Sequence, residues 1–109
     1  MIYEVEVSEQ ADSDLREIFE YIAFELQSPQ NASGQLDRLE EQILSLDTMP
    51  ERYRKYEKEP WKSRGLRVLP VDNYVVLYIP DSDKKVVIIL RVMYAGRDIY
   101  NQLNLHIKQ

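Results

Sequence analysis

Val86 to Met93 reads VVIILRVM, a nearly unbroken apolar run interrupted only by Arg91. It is far too short to cross a membrane and rich in β-branched residues, so it reads as a central strand covered on both faces. It sits inside Leu66 to Tyr100, the stretch around which the rest of the chain is organised. Leu66–Val71 and Tyr74–Ile79 flank Asp72-Asn73, a turn signal that predicts a hairpin. Asp81-Ser82-Asp83 marks the next turn. Ala95-Gly96 breaks the third strand, and Asp98 is placed to cap a short last helix, Ile99 to Ile107. A charge inside such a strand costs free energy unless it is paired or faces a cleft. Arg91 is therefore expected either to meet a carboxylate at the sheet margin or to serve a functional site.

The N-terminal part reads as cover for that sheet. Ile2 to Val7 alternates, with Tyr3, Val5 and Val7 on one face. Ser8 is an N-cap candidate with Glu9 in the first turn. Ala11, Leu15, Ile18, Phe19, Ile22 and Leu26 then recur at spacings of three and four, predicting an amphipathic helix of roughly 18 residues. Tyr21 and Phe24 flank its stripe. Ser28-Pro29 restarts the chain as a cap and first helical residue. Ala32, Leu36, Leu39, Ile43, Leu44 and Leu46 carry a second stripe, and Pro50 ends it. Gly34 is expected to let the two helices approach closely. Two helices with a short joint form an antiparallel hairpin. The expected fold is thus α+β, in one domain spanning residues 1–109. A β-α-α-β-β-β order lays the helical hairpin on one face of a mainly antiparallel four-stranded sheet, with a short C-terminal helix. The basic part of the chain is left for the opposite face and the open end.

Charge is strongly divided. Residues 1–47 hold twelve acids and two bases, and the rest of the chain holds seven acids and twelve bases, within a net charge of −5. Such a balance disfavours a general nucleic-acid binder but allows a basic side to steer an anionic partner. With no cysteine and one histidine, His106, neither a metal site nor a cofactor is expected. The start, MIYEVEVSEQ, has neither the basic nor the apolar region of a signal peptide, so a cytoplasmic location without membrane association is expected.

Residues 51–64, ERYRKYEKEPWKSR, have no clean period. Arg54, Lys55, Lys62 and Arg64 are interleaved with Tyr53, Tyr56 and Trp61. Charge for phosphates and rings for bases is what a single-stranded nucleic acid requires. The alternative is a loop whose aromatics tuck onto the sheet while its cations stay in water.

Four stretches, in this order and spacing, resemble the RelE/ParE superfamily of bacterial toxins, also called plasmid stabilisation proteins. They are VEVSEQADSDLREIFEYIA at the start, Leu46-Asp47-Thr48-Met49-Pro50 after the second helix, Leu66-Arg67-Val68 followed by Asn73-Tyr74-Val75-Val76-Leu77-Tyr78, and Leu90 through Asp98. Together they cover nearly the whole chain. The resemblance implies the toxin of a type II toxin–antitoxin module, which arrests growth and is neutralised in a hetero-oligomeric complex with a cognate antitoxin protein. RelE-like members cleave mRNA on the ribosome without a metal, whereas ParE-like members inhibit DNA gyrase.

Metal-free cleavage needs the 2′-hydroxyl deprotonated, the phosphorane charge stabilised and the leaving oxygen protonated. By resemblance Arg67, Arg97 and Tyr100 are the catalytic candidates, with Arg91 and Tyr94 as further target-binding positions beside Arg54, Lys55, Lys62 and Arg64. Arg67 would clamp phosphate. Tyr100 would need its pKa lowered from near 10 to act as a base. Val75 and Leu69, however, stand where the nucleases carry basic residues, and Tyr94 stands near a frequent histidine. These departures, with the low pI, lean towards a ParE-like or divergent member that inhibits gyrase through its last helix and exposed sheet. The alternatives are the RelE-like ribosome-dependent mRNA endoribonuclease and an inactive antitoxin-binding module.

Overall fold

Alternation and stripe together produce a sheet with a helical hairpin laid across it. The computed structural model describes residues 2–105. Its order is β1 (Glu4–Val7), α1 (Glu9–Glu20), α2 (Pro29–Leu44), β2 (Arg54–Lys55), β3 (Arg67–Val71), β4 (Tyr74–Asp81), β5 (Val86–Tyr94) and α3 (Ile99–Leu105). The strands lie in the order β1-β5-β4-β3-β2, with β1 parallel to β5 and the other pairs antiparallel. The expected four strands are joined by a fifth, the two-residue β2 at the edge, which grows from the basic segment 51–64. The final residues of the expected last helix, His106 and Ile107, lie outside the described residues. Among those described, no helix is long and apolar enough to cross a membrane.

Ser8 caps α1 as its sequence position predicts: its Oγ accepts the Ala11 amide at 3.0 Å and donates to the Leu90 carbonyl at 2.9 Å, pinning the helix start to β5. The helix does not stay α to its end. Tyr21–Glu25 form a π turn, closed by the Leu26 amide on the Tyr21 carbonyl at 3.0 Å, and Gln27 with φ 52° stops it. Ser28 precedes α2, but its hydroxyl makes no cap; Pro29 at the first position does the work of starting the helix. Gly34 is not a point of close helix approach either. A Cβ there would meet only Arg38 at 3.4 Å, and the helices touch instead through Ala23 and Ala32, which are buried with Ile22.

Two cores result. The hairpin side buries Tyr3, Leu15, Leu39, Leu69, Val76, Tyr78, Ile89 and Val92 among others. Burying each such side chain contributes roughly 1.5–3 kcal/mol. Ile89 and Val92 share this face although they are three residues apart. A bulge allows it: Tyr78 pairs with Ile89 but Leu77 with Arg91, skipping Leu90. Tyr78 is wholly buried and donates to the Pro50 carbonyl at 2.6 Å; burial pushes its phenol up to about 12.

The other face corrects an expectation. It is not an exposed sheet but a second core of Trp61, Leu66, Val68, Val75, Leu77, Met93 and Leu103, covered by the 56–65 segment and α3. Its β1 margin is open, where Ile88 is 37% exposed and Glu4 and Glu6 are exposed beside it. The aromatics of residues 51–64 therefore tuck in: Trp61 is buried, with its Nε1 donating to Asn104 Oδ1 at 3.2 Å, while Tyr56 packs on this core and Tyr53 on the first. Val7, predicted to share the buried face of Tyr3 and Val5, is exposed where the edge strand runs out.

Candidate functional site

Asp72 and Asn73 form the β3–β4 turn, Asp72 adopting a φ of 55° that aspartate tolerates better than most residues. Its carboxylate accepts from Arg38 Nε at 2.7 Å and Gln35 Nε2 at 2.9 Å, tying α2 to the turn. These bonds, Arg38's first, hold the Asp72 carboxyl below the usual range. β5 ends beside this turn, with Tyr94 opposite Tyr74 and the Ala95 amide donating to the Asn73 carbonyl at 2.8 Å. The α1–α2 hairpin end and the sheet end thus face each other across a cleft of about 900 Å³. Burial, with the Tyr21 and Tyr94 phenols nearby, raises the Tyr74 pKa, and the Tyr74 and Tyr94 rings meet edge to face at 6.0 Å. Tyr94 also folds over Gly96, where a Cβ would come within 2.6 Å of the ring.

Beneath the cleft lies Arg91, 7% exposed. Its Nε and Nη2 donate to Asp14 of α1 at 2.8 and 3.0 Å, and Asp14 also accepts the Val92 amide at 2.9 Å. The carboxylate expected for Arg91 is thus present, but it comes from the overlying helix rather than the sheet margin. Nη1 has no acceptor among the described residues. A buried donor left unmatched typically costs about 1–3 kcal/mol.

Of the residues singled out from sequence, Arg91, Tyr94 and Arg97 line this cleft together. The rest do not join them. Arg67 donates through Nη1 to the Glu51 and Tyr53 carbonyls at 2.9 and 2.7 Å, on the hairpin side of the sheet. It pairs with Tyr78, four residues from the Val71–Tyr74 row that leads to Tyr94, or about 13 Å along the strand at ~3.3 Å per residue. Tyr100 lies on the other face, where α3 packs: its hydroxyl donates to the Glu59 carbonyl at 3.2 Å, and Lys58 Nζ sits 5.1 Å from its ring centroid. Nearby Tyr56 is raised in pKa, by burial first and then by the Tyr100 and Asp98 charges. Arg54 and Lys55 are exposed on β2, and Lys62 and Arg64 on the loop that follows, the Arg64 guanidinium 5.0 Å from the Trp61 ring centroid. The two basic positions of the nuclease pattern occupied by Leu69 and Val75 are buried in opposite cores.

Sequence reasoning missed the hairpin wall of the cleft, where Glu17, Tyr21, Leu26, Asn31 and Gln35 stand. A signal was present: Tyr21 flanks the helical stripe and Leu26 ends it, yet both remain about half exposed, at 55% and 56%. Among the described residues no cluster of three or more His, Cys, Asp or Glu is placed to hold a metal.

No protein of curated function is similar enough in sequence to be matched. Solved structures share the fold. A chain from the chromosomal ParDE toxin–antitoxin system of P. aeruginosa superposes with a TM-score of 0.73 at 18% identity, covering 87% of this chain and 98% of that one. A variant of E. coli toxin RelE in the free state gives 0.68 at 17% identity, over 99% and 100% of the two chains. A chain of a RelBE-type toxin–antitoxin complex from Mycobacterium tuberculosis gives 0.63 at 22%, over 88% and 95%. The family profile described as the ParE toxin of the type II toxin–antitoxin system parDE matches residues 5–99. That match spans nearly the whole chain, and this chain therefore belongs to the ParE toxin family of type II toxin–antitoxin systems.

Proposed function

We propose that this chain arrests growth by binding its target, with DNA gyrase as that target, and that a cognate antitoxin holds it inactive in a hetero-oligomeric complex. The observation that carries the reading is the dispersal of the catalytic candidates. Arg67 is engaged by two backbone carbonyls on the hairpin side, Tyr100 by a third on the opposite side, and Arg97 stands at the far end of the sheet. Acid–base cleavage of RNA needs its groups within hydrogen-bond reach of one phosphodiester, whereas Arg67 and Tyr100 are engaged by backbone carbonyls on opposite sides of the sheet. The family profile and the ParDE relative support the gyrase branch, and the toxin–antitoxin complexes among the relatives support an antitoxin partner.

A second reading, ribosome-dependent mRNA cleavage, is favoured by one feature: the exposed Arg97 side chain has no partner among the described residues and is free to meet a phosphate. The two separate in parallel assays of the purified toxin. Inhibition of gyrase supercoiling, with an intact message in a reconstituted translation system, is the expected result. Ribosome-dependent cuts in the message with supercoiling unaffected would replace the binding toxin with the nuclease.

A further inference from the structure

The 56–65 segment seals the second core with its apolar side and turns its cations outward. Arg54 pairs with Val68 across β2 and β3 and so stands on the face of that core, within electrostatic reach of Tyr56. Lys58, Lys62 and Arg64 follow on the covering loop, all exposed. The Lys62 amide donates to the Lys58 carbonyl at 2.9 Å and the Arg64 amide to the Trp61 carbonyl at 3.1 Å, winding the three into one compact turn. Two of the cations rest on rings: Lys58 Nζ lies 5.1 Å from the Tyr100 ring centroid, and the Arg64 guanidinium 5.0 Å from that of Trp61. Such contacts fix the place of a cation without neutralising it. Among the described residues, none of these four cations is paired with a carboxylate. The Glu59 carboxylate of the same loop instead accepts the Ser63 amide and hydroxyl at 3.0 and 2.8 Å.

The rings exclude one occupant and the charges select another. A single strand binds by stacking its bases on open aromatic faces. Here Trp61 is buried, with its Nε1 spent on Asn104 and Arg64 over its ring. Tyr56 packs onto the second core, Lys58 lies over Tyr100, and Arg52 lies over Tyr53. No ring of the segment is left open to a base. What remains is a row of cations, which meets phosphates without reading bases. Duplex DNA offers phosphates at short intervals whatever its sequence. The rest of the chain opposes that contact, with a net charge of −5 and twelve acids in residues 1–47. Free DNA is therefore bound weakly, and the patch becomes effective only when another contact has already set the toxin beside a duplex. A target that works on duplex DNA supplies that contact.

We propose that Arg54, Lys58, Lys62 and Arg64 form a contact for the phosphate backbone of duplex DNA held by gyrase, so that the toxin engages the enzyme–DNA complex rather than either component alone. The proposal rests on the gyrase reading above. It is tested by titrating the full chain against purified gyrase, bare and loaded with a linear duplex, over a range of salt. Loaded gyrase should bind about tenfold tighter than bare gyrase, and that gain should fall as salt rises. Lys58→Gln and Lys62→Gln should each lower the salt slope of the gain by about one. The triple variant that adds Arg64→Gln should abolish the gain, with thermal melts reporting its fold, whereas Lys84→Gln at the β4–β5 turn should keep it. Equal affinity of the wild type for bare and loaded gyrase, or a gain unchanged in the lysine variants, would overturn the inference and leave the gyrase reading intact. A loss shared equally by bare and loaded gyrase would overturn it too, assigning these cations to the protein surface of the target. If gyrase is bound in neither state, the gyrase reading itself fails and this inference with it. Ribosome-dependent cuts that vanish in the triple variant would then assign the patch to ribosomal RNA.

Discussion

Asp14 shows how much one carboxylate can hold. It accepts two bonds from Arg91 and one from the Val92 amide, and it thereby joins α1 to the bulged part of β5. Both partners are almost fully buried, so removing one leaves the other charge without compensation. Asp14→Ala is expected to destabilise the fold by about 3–5 kcal/mol in urea denaturation. Replacing the pair together, Asp14→Leu with Arg91→Met, should recover most of that loss. The Val92 amide would remain unmatched, at a cost of about 1–3 kcal/mol. A double variant no more stable than Asp14→Ala would mean that lost packing, not stranded charge, dominates. The need for a partner was legible from Arg91 alone, a guanidinium in an apolar strand. Its identity was legible too, though less plainly. Asp14 stands three residues after Ala11 and four before Ile18, within the apolar stripe of α1, a position that an acid occupies only when something buried answers it.

At the scale of elements, the β3–β4 turn does more than reverse the chain. Through Asp72 it anchors Gln35 and Arg38, one turn apart on α2, and so fixes one wall of the cleft against the sheet. The folded-state pKa of Asp72 is lowered, so its contribution is present above the ordinary aspartate value and is lost as pH falls through the lower folded value. Asp72→Asn keeps a residue suited to positive φ and removes the charge. Its melting temperature should lie below that of the wild type at pH 7, and the two should converge as the pH falls below the ordinary aspartate value and the carboxyl is protonated. A gap that stays constant over that range would show that the bonds, not the ionised carboxylate, secure the turn. The turn itself was readable from Asp72-Asn73 between apolar runs, and the hairpin helices from their stripes. The π turn at Tyr21–Glu25 was not, because no proline or glycine marks it. It arises where the end of α1 is packed against α2 through Ala23 and Ala32, a tertiary constraint that the helical period does not encode.

Across the whole molecule, what escaped sequence reasoning is what joins distant segments. The second core draws Trp61 and Leu103 from stretches too polar or too short to look buried, and the cleft joins residues near 20 to residues near 95. That second core bears directly on Arg67. With the far face of the sheet covered, Arg67 is left at the hairpin side, bridging the Pro50–Arg52 turn and Tyr53 to β3. On the binding-toxin reading proposed above, its role is that of a tether between the 50–55 segment and the sheet edge. A tether and a phosphate clamp respond differently to truncation. Arg67→Ala removes the donor from two carbonyls that water can partly reach, and it should cost about 1–2 kcal/mol of stability. Target inhibition should then fall only as far as the folded fraction falls, and Arg67→Lys, which keeps a donor near those carbonyls, should retain most of both. A clamp predicts the reverse: stability close to wild type and activity reduced by orders of magnitude, with lysine a poor substitute for the forked guanidinium. Urea midpoints measured beside supercoiling inhibition and message cleavage for the same three proteins decide between them. A stable Arg67→Ala protein that has lost its activity would return this residue to the target surface.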